Sequence, residues 1–454
     1  MRSLNTFPSQ KQCWVMIDPK ILRENPQRIH EMLEKRNTEF PLTDLIDLDE
    51  KRRELIIMSQ DIRHKKNILS LQISNKKKAG LDVSRELDEM KDIGIKISNF
   101  DPLMSSTEET FNKLMFSIPN LLDDSVPLGK DSNDNIVLRV VGDTGKKDFR
   151  YLDHVELCNS LDLFDLERAS KVAGARFYFL KNDLVKLNQA LINYALDFLE
   201  RNGHTLIQPP FLLKRDSVKG AVILSDFQDV IYKIDQEDLY MIGTSEHAIA
   251  AMRMGEILNG NELPLRYGSI SPCFRKEAGA HGKDMKGIFR VHQFEKVEQF
   301  VFCKPEDSKN EHERMLSLTE KFYQSLGIPY RITLLCSADT GKVSAKTYDI
   351  EASFPGQDAY REIVSCSNCT DYQARRLAIR YRDRTNQDTQ LVHTLNCTLA
   401  ATERTMVALL ENYQTGDGGI TIPTVLRKYL SDKTEIRPKE KYPSGVSKLD
   451  LEKD

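Results

Sequence analysis

Cys273-Phe274-Arg275-Lys276-Glu277-Ala278-Gly279, followed by Arg290-Val291-His292-Gln293-Phe294-Glu295-Lys296-Val297-Glu298, decides the reading of this chain. An apolar run precedes Arg275, and Phe289, Val291, Phe294, Val297 and Phe300 recur after it, so both flanks predict β-strands. Between them lies a polar, basic turn, Ala280-His281-Gly282-Lys283-Asp284-Met285-Lys286-Gly287. Two strands joined in this way predict an antiparallel hairpin with side-chain directions set by the pleat. Arg275 and Glu277 are two apart, so a strand would point both to one face. A guanidinium forks onto phosphate and a carboxylate accepts from an exocyclic amine, which suits a nucleotide. A surface hairpin with scattered ion pairs is the plainer alternative.

The 454 residues exceed one ordinary domain and predict two. With 40% hydrophobic and 29% charged residues the composition is globular. The formal net charge is −3, so any affinity for RNA has to come from local basic surface. No apolar run approaches the roughly 20 residues that span a bilayer, so no membrane association is expected. Residues 1–15 lack the apolar stretch of a secretory signal and read as an N-terminal extension, with a misassigned start or a short organellar presequence as alternatives. The eight cysteines are scattered, which fits reduced thiols and a cytoplasmic location. Cys366-x-x-Cys369 has no second ligand pair, so no structural zinc is expected and buried thiols are the simpler reading.

Residues 16–40 read as short helical segments punctuated by Pro19 and Pro26. Leu48, Leu55, Ile62 and Leu69 then fall seven apart, as do Met90, Ile97, Met104 and Phe111. Two heptad stretches joined by Lys76-Lys77-Lys78-Ala79-Gly80 predict an antiparallel helical hairpin, each arm about 45 Å long and projecting from a body. Gly94 and Pro102 predict a kinked or irregular second helix. Lys51, Arg52, Arg53, Arg63, Lys65, Lys66 and Lys76 to Lys78 bias the first arm to positive charge. That run reads equally as a solvated face or as a phosphate-tracking surface. Asp123 to Lys147 reads as a polar linker. Leu184 to Asn202 reads as an amphipathic helix stopped by Gly203, before a strand that ends at Pro209-Pro210.

Phe274-Arg275-Lys276-Glu277, a loop and then Arg290 to Glu298 resembles motif 2 of the class II aminoacyl-tRNA synthetases, in the wording of the seryl type. Gly203 to Pro210 resembles motif 1, which builds the dimer interface. Asn396-Cys397-Thr398-Leu399-Ala400-Ala401-Thr402-Glu403-Arg404 is similar to motif 3. Many members read Gly-Leu-Ala-Val-Gly-Arg where this chain has Leu399 to Arg404, so its glycines are absent and Glu403 is an added acid. Asp417-Gly418-Gly419-Ile420-Thr421-Ile422-Pro423 resembles the tail after motif 3.

The resemblance implies an α+β fold: an antiparallel β-sheet flanked by helices, with an N-terminal antiparallel coiled-coil arm. It divides the chain into an extension (1–15), a tRNA-binding helical arm (16–115), a catalytic domain (116–432) and a charged tail (433–454). It implies that the arm grips tRNA. It implies ATP and Mg2+ as cofactors, L-serine and tRNA(Ser) as substrates, tRNA(Sec) as a further one, and a homodimer. Arg275 would bridge the α-phosphate and the serine carboxylate, and Arg404 would bind the γ-phosphate, with Arg290 near the same surface to serve the phosphates or the loop. Glu277 would receive the adenine amine, Phe294 would stack on the ring, and Val291, Ile363 and Val364 would line it. Glu362 and Ser365 would hold Mg2+, although Glu362 also reads as a strand-end carboxylate paired with Arg361 or Arg375. Thr244, Ser245 and Glu246 would form the serine site with Arg275, Glu298, Asn396 and Thr398. Thr244 also reads as a helix N-cap. The motif 2 loop, His281 to Lys286, would touch the tRNA end. Two alternatives stand beside this reading: a ligase that loads an amino acid onto a carrier protein, and a non-catalytic RNA-binding paralogue. The first would lack the long arm, and the second would have lost the arginines and carboxylates above.

Overall fold

The structure, a computed structural model, describes residues 17–145, 147–222, 230–277, 286–383 and 388–438. The extension, Cys13, most of the motif 2 loop and most of the charged tail therefore lie outside the described residues. Two compact units divide at Leu121/Leu122.

In the first unit Pro19 and Pro26 each open a short helix, at the position where a missing N–H costs nothing. Two long helices follow, α1 (Leu42–Lys78) and α2 (Ser84–Ser117). Their 37 and 34 residues correspond to roughly 55 and 50 Å at 1.5 Å per residue, longer than expected. Gly80, at φ +69°, ends α1: its N–H donates to Lys77 O and that of Leu81 to Lys76 O, the hydrogen-bond pair that closes a helix through a left-handed residue. Leu55, Leu69 and Phe111 are buried, and Leu48, Ile62, Met90, Ile97 and Met104 are half-buried, so the heptads form the seam. Ser59, Ile93 and Thr107 are buried with them. The kink expected at Pro102 does not interrupt α2, which is helical from Ser84 to Ser117. Pro102 lies exposed within that helix.

The second unit is built on an eight-stranded sheet. Its strands are β1 (Ile136–Val141), β2 (Thr205–Ile207), β3 (Leu265–Phe274), β4 (Gln293–Cys303), β5 (Tyr330–Leu334), β6 (Lys346–Phe354), β7 (Ala359–Asn368) and β8 (His393–Ala401). They run in the order β1-β5-β6-β7-β8-β4-β3-β2. All neighbours are antiparallel except β2, which lies parallel to β3 at one edge. The polar linker expected at Asp123 to Lys147 is corrected here. Its β-branched run Ile136-Val137 and Val140-Val141 pairs with β5 and makes the other edge.

Each inner strand presents alternate residues to opposite faces. Val297 and Val301 of β4, Ile350 of β6, Val364 of β7 and Leu395 of β8 join one apolar core. Helices α3 (His154–Ser160), α4 (Asp183–Arg201), α6 (Ser308–Ser325) and α7 (Thr402–Asn412) contribute to it; α5 (Ser245–Ala251) packs in two smaller clusters. Gln299 of β4 donates to Met315 O and Thr319 Oγ1 of α6, so that face is helix-covered. The alternate residues Phe294, Lys296 and Glu298 face a cavity.

Candidate active site

The hairpin strands end sooner than expected, and this changes how the site is built. β3 stops at Phe274 and β4 starts at Gln293, so Arg275, Glu277, Arg290 and Val291 lie in the connecting backbone. Strand parity therefore does not set Arg275 and Glu277 side by side. Glu277 instead adopts φ +47°, a conformation that costs a non-glycine residue energy and persists where its surroundings hold it. Arg176 Nη1 donates to Glu277 O at 3.0 Å, and Arg290 pairs with the Glu277 carboxylate at 3.6 Å. Arg275 N–H donates to His292 O at 2.9 Å and its Nε to Gly243 O at 3.1 Å, while its guanidinium sits 5.3 Å from the Phe294 ring. Two backbone ties and an aromatic face thus fix this arginine.

The cavity measures about 480 Å³. Arg275, Arg290, Arg404, Glu277 and Glu362 line it, with Glu246, Glu298, Asn396 and Thr398. Ladder register explains the last group. Glu298 of β4 lies opposite Thr398 of β8, and Asn396 lies opposite Ser367 of β7. Thr244 Oγ1 donates to Glu298 at 2.9 Å while accepting from Glu246 N at 3.3 Å, so it is both cap and ligand to a carboxylate. Glu246 accepts from Gln373 at 2.7 Å and from Asn396 at 3.1 Å. Burial, with the nearby Glu298 charge, pushes Glu246 up to about 7.

Glu362 pairs with neither Arg361 nor Arg375 by an ion pair; Arg404 meets it at 3.2 Å and also donates to its backbone carbonyl at 3.1 Å. The Arg404 charge holds its carboxyl below the usual range, with Arg275 and Arg290 adding to the effect. Ser365 lines the same wall, opposite Asp349 in the β6–β7 ladder. Burial and the Glu362 charge hold Asp349 well above the ordinary range. Arg275 is the shared cation: its field favours the ionised form of Glu246 at one side and of Glu362 at the other.

Three expected residues do not line the cavity, Thr244, Val364 and Ser245; Thr244 acts on it only through its hydrogen bond to Glu298. Val364 packs into the core on the opposite sheet face, and Ser245 is buried against Ser269 at 2.7 Å. Ile363 lines the cavity as expected. Cys369 lines it too, beside Asn396, while Cys366 lies opposite Cys397 in the sheet; all three thiols are buried.

The sequence reading missed three residues. Phe289 meets two guanidinium groups, Arg361 at 3.8 Å and Arg404 at 5.0 Å from its ring centre. Lys296 is buried and ion-paired with Glu298. Its position, two residues from both Phe294 and Glu298 on one strand, was the signal that could have found it. Glu403, read as a departure from motif 3, is buried at the cavity wall.

Comparison with known proteins bears on this geometry. Residues 16–122 match the seryl-tRNA synthetase N-terminal domain, and residues 231–413 match the tRNA synthetase class II core domain (G, H, P, S and T). The serine–tRNA ligase of Nitrosopumilus maritimus is 56% identical over 421 residues, covering 93% of this chain and 100% of that protein. The chain belongs to the seryl-tRNA synthetases. It is accordingly a serine–tRNA ligase of class II. The crystal structure of seryl-tRNA synthetase from Pyrococcus horikoshii complexed with ATP superposes with a TM-score of 0.87 at 43% identity, covering 94% of this chain and all of that one. The cytoplasmic enzyme of Naegleria fowleri in complex with AMP gives 0.82 at 35% identity, covering 93% and 99%. The antiparallel sheet and the long helical arm are thus those of a seryl-tRNA synthetase.

Proposed function

We propose that the cavity activates L-serine with ATP and then passes the seryl group to tRNA(Ser). The observation that carries this reading is the sharing of Arg275 between a carboxylate side, with Glu246, Glu298 and Thr398, and an arginine side, with Arg404 and Arg290. Adenylate formation brings the serine carboxylate, an anion, to the α-phosphate of ATP, another anion, and expels pyrophosphate. No protein nucleophile is required, so positioning and charge neutralisation supply most of the catalysis. Arg275 bridges the two anions. Arg404 takes the γ-phosphate, Glu277 accepts from the adenine amine, and Phe294 stacks on the base beside backbone from Val291 and Ile363. Glu246 and Glu298 hold the serine ammonium. Asn396 and Thr398 meet its hydroxyl, and such buried polar partners penalise an amino acid that leaves them unpaired.

Mg2+ fits one wall of this cavity. The Glu362 carboxylate, 47% accessible, and Ser365 offer hard oxygen ligands there, and a cation shared with triphosphate oxygens needs only one or two protein carboxylates. The ion, when bound, neutralises phosphate charge. Binding of ATP is supported by the Pyrococcus complex, and binding of the adenosine monophosphate portion by the Naegleria one.

The arm is the RNA-gripping element in this reading. Four of its bases are ion-paired within the hairpin: Arg52 with Glu108, Arg53 with Asp49, Arg63 with Asp101 and Lys76 with Glu86. Lys51, Lys65, Lys66, Lys77 and Lys78 are exposed and form no ion pair among the described residues, which narrows the phosphate-contacting set. The motif 1 likeness supports a homodimer. Charging of tRNA(Sec) follows if the arm reads RNA shape. The buried thiols of seven cysteines suit a cytoplasmic location, and among the described residues no helix is long and apolar enough to cross a membrane. Pyrophosphate–ATP exchange tests the substrate: serine should support it, while threonine, alanine and glycine should not. Exchange with one of those three and none with serine would overturn the assignment.

A further inference from the structure

β8 ends at Ala401, opposite Lys296 of β4, and the chain turns directly into α7. The next residue of β4, Glu295, would then have a backbone N–H and C=O facing the place where a strand no longer runs. Buried backbone groups left in this way cost free energy. Two side chains occupy the place. The Glu403 carboxylate accepts the Glu295 N–H at 3.0 and 3.3 Å, and the Thr402 hydroxyl donates to the Glu295 carbonyl at 3.3 Å. Thr402 is also within 3.0 Å of Glu403 Oε2, and the Tyr178 hydroxyl donates to Glu403 Oε1.

Each element tied to this carboxylate carries a group of the cavity. Glu403 precedes Arg404. Glu295 lies between Phe294 and Lys296. Tyr178 is two residues from Arg176, which holds the Glu277 backbone. Glu403 is 1% exposed, so water does not replace these bonds. We propose that Glu403 is a positioning residue of the activation reaction: with Thr402 it stands in for the missing ladder rung and locks Arg404 and Phe294 into one nucleotide-binding geometry. It acts through those two residues and does not itself touch the reactants. The inference deepens the ATP site assigned above and rests on it.

The test uses the full-length chain, with ATP and serine half-saturation measured separately in pyrophosphate–ATP exchange, ATP affinity measured by calorimetry, and the unfolding midpoint recorded. Glu403→Ala should raise the ATP KM by on the order of tenfold or more while the serine KM moves by less than about threefold. Glu403→Gln keeps an oxygen for the Glu295 N–H and should recover most of that loss. Tyr178→Phe removes a single hydroxyl and should raise the ATP KM about threefold, and less when added to Glu403→Ala, as expected for partners in one network. A lower unfolding midpoint with both KM values unchanged would make Glu403 structural only and overturn the proposal. So would equal increases in the two KM values. If Glu403→Ala does not fold, Glu403→Gln and Tyr178→Phe decide alone, and wild-type ATP KM and ATP affinity in both would also overturn it. Wild-type protein that binds ATP yet shows no serine-dependent exchange would count against the substrate assignment, leaving the calorimetric comparison to judge Glu403.

Discussion

The arm and the sheet unit use the same ionic side chains in opposite settings. Arg63 and Asp101 meet at 3.4 Å across the helical hairpin with side chains 62% and 52% exposed. Lys296 and Glu298 meet on one strand of the sheet with side chains 8% and 2% exposed. In the arm, water screens exposed pairs such as this one and the apolar seam carries most of the packing, so the unpaired lysines are available for a partner. In the sheet, the charges are desolvated and each depends on its neighbour, so the cavity is set by the fold before any ligand arrives. Charge on an exposed helix pair is a recruiting device; charge under a sheet is a fixed electrostatic frame.

The sharpest break between the two regions would come from removing the arm. Deleting residues 45–112 should abolish tRNA charging and leave serine-dependent pyrophosphate exchange intact; retained charging would strip the arm of its RNA-gripping role. Next in size, Arg275→Ala should cut exchange by roughly 10³-fold, the scale for losing a preorganised group at developing charge, because it serves both anions. Unchanged exchange would show that the cavity's shared cation is idle.

Lys296→Met should cost about 3–5 kcal/mol of stability by stranding Glu298, whereas Arg63→Ala in the arm should cost less than about 1 kcal/mol. Denaturant midpoints measure both, and similar shifts for the two would erase the contrast. The smallest effect is a pH dependence. Glu246, held near 7, is largely protonated at pH 6 and ionised at pH 8, so the serine KM should fall by about tenfold over that interval. Glu246→Gln should flatten the profile, and a wild-type profile that is flat already would remove Glu246 from ammonium binding. The sign for stability is opposite. A folded value raised from 4.5 to about 7 means that the native state binds more protons in that window, so the Glu246 contribution falls as pH rises through it.

Sequence patterns reached unevenly into these two regions. The heptads of α1 and α2 located the arm because a coiled coil repeats along one chain, and the helix runs on through Gly94 and Pro102, where propensity alone predicts a kink or an interruption. In the second unit, Arg275, Glu277, Glu362 and Arg404 all line the cavity, yet strand parity is not what brings the first two together. Both lie beyond the strand end, where Arg176 holds the Glu277 backbone and Gly243 O holds the Arg275 guanidinium. Phe289 escaped notice because its role depends on Arg361 and Arg404, which are 72 and 115 positions away in sequence. Glu403 looked like a blemish in a motif until Glu295 and Tyr178 were seen to converge on it.

By itself the sequence determined the seryl-tRNA synthetase family, the two helices of the arm and the residue types that carry charge to a nucleotide, because periodicity and short motifs are properties of neighbouring positions. Only the tertiary structure decided which carboxylate is matched to which donor: Glu298 to Lys296, Glu362 to Arg404, and Glu403 to the backbone N–H of Glu295. Those partners depend on strand register and on where β8 gives way to α7. Burial then sets how strongly each pair interacts, and it is a property of the packed sheet that no local stretch of the chain contains.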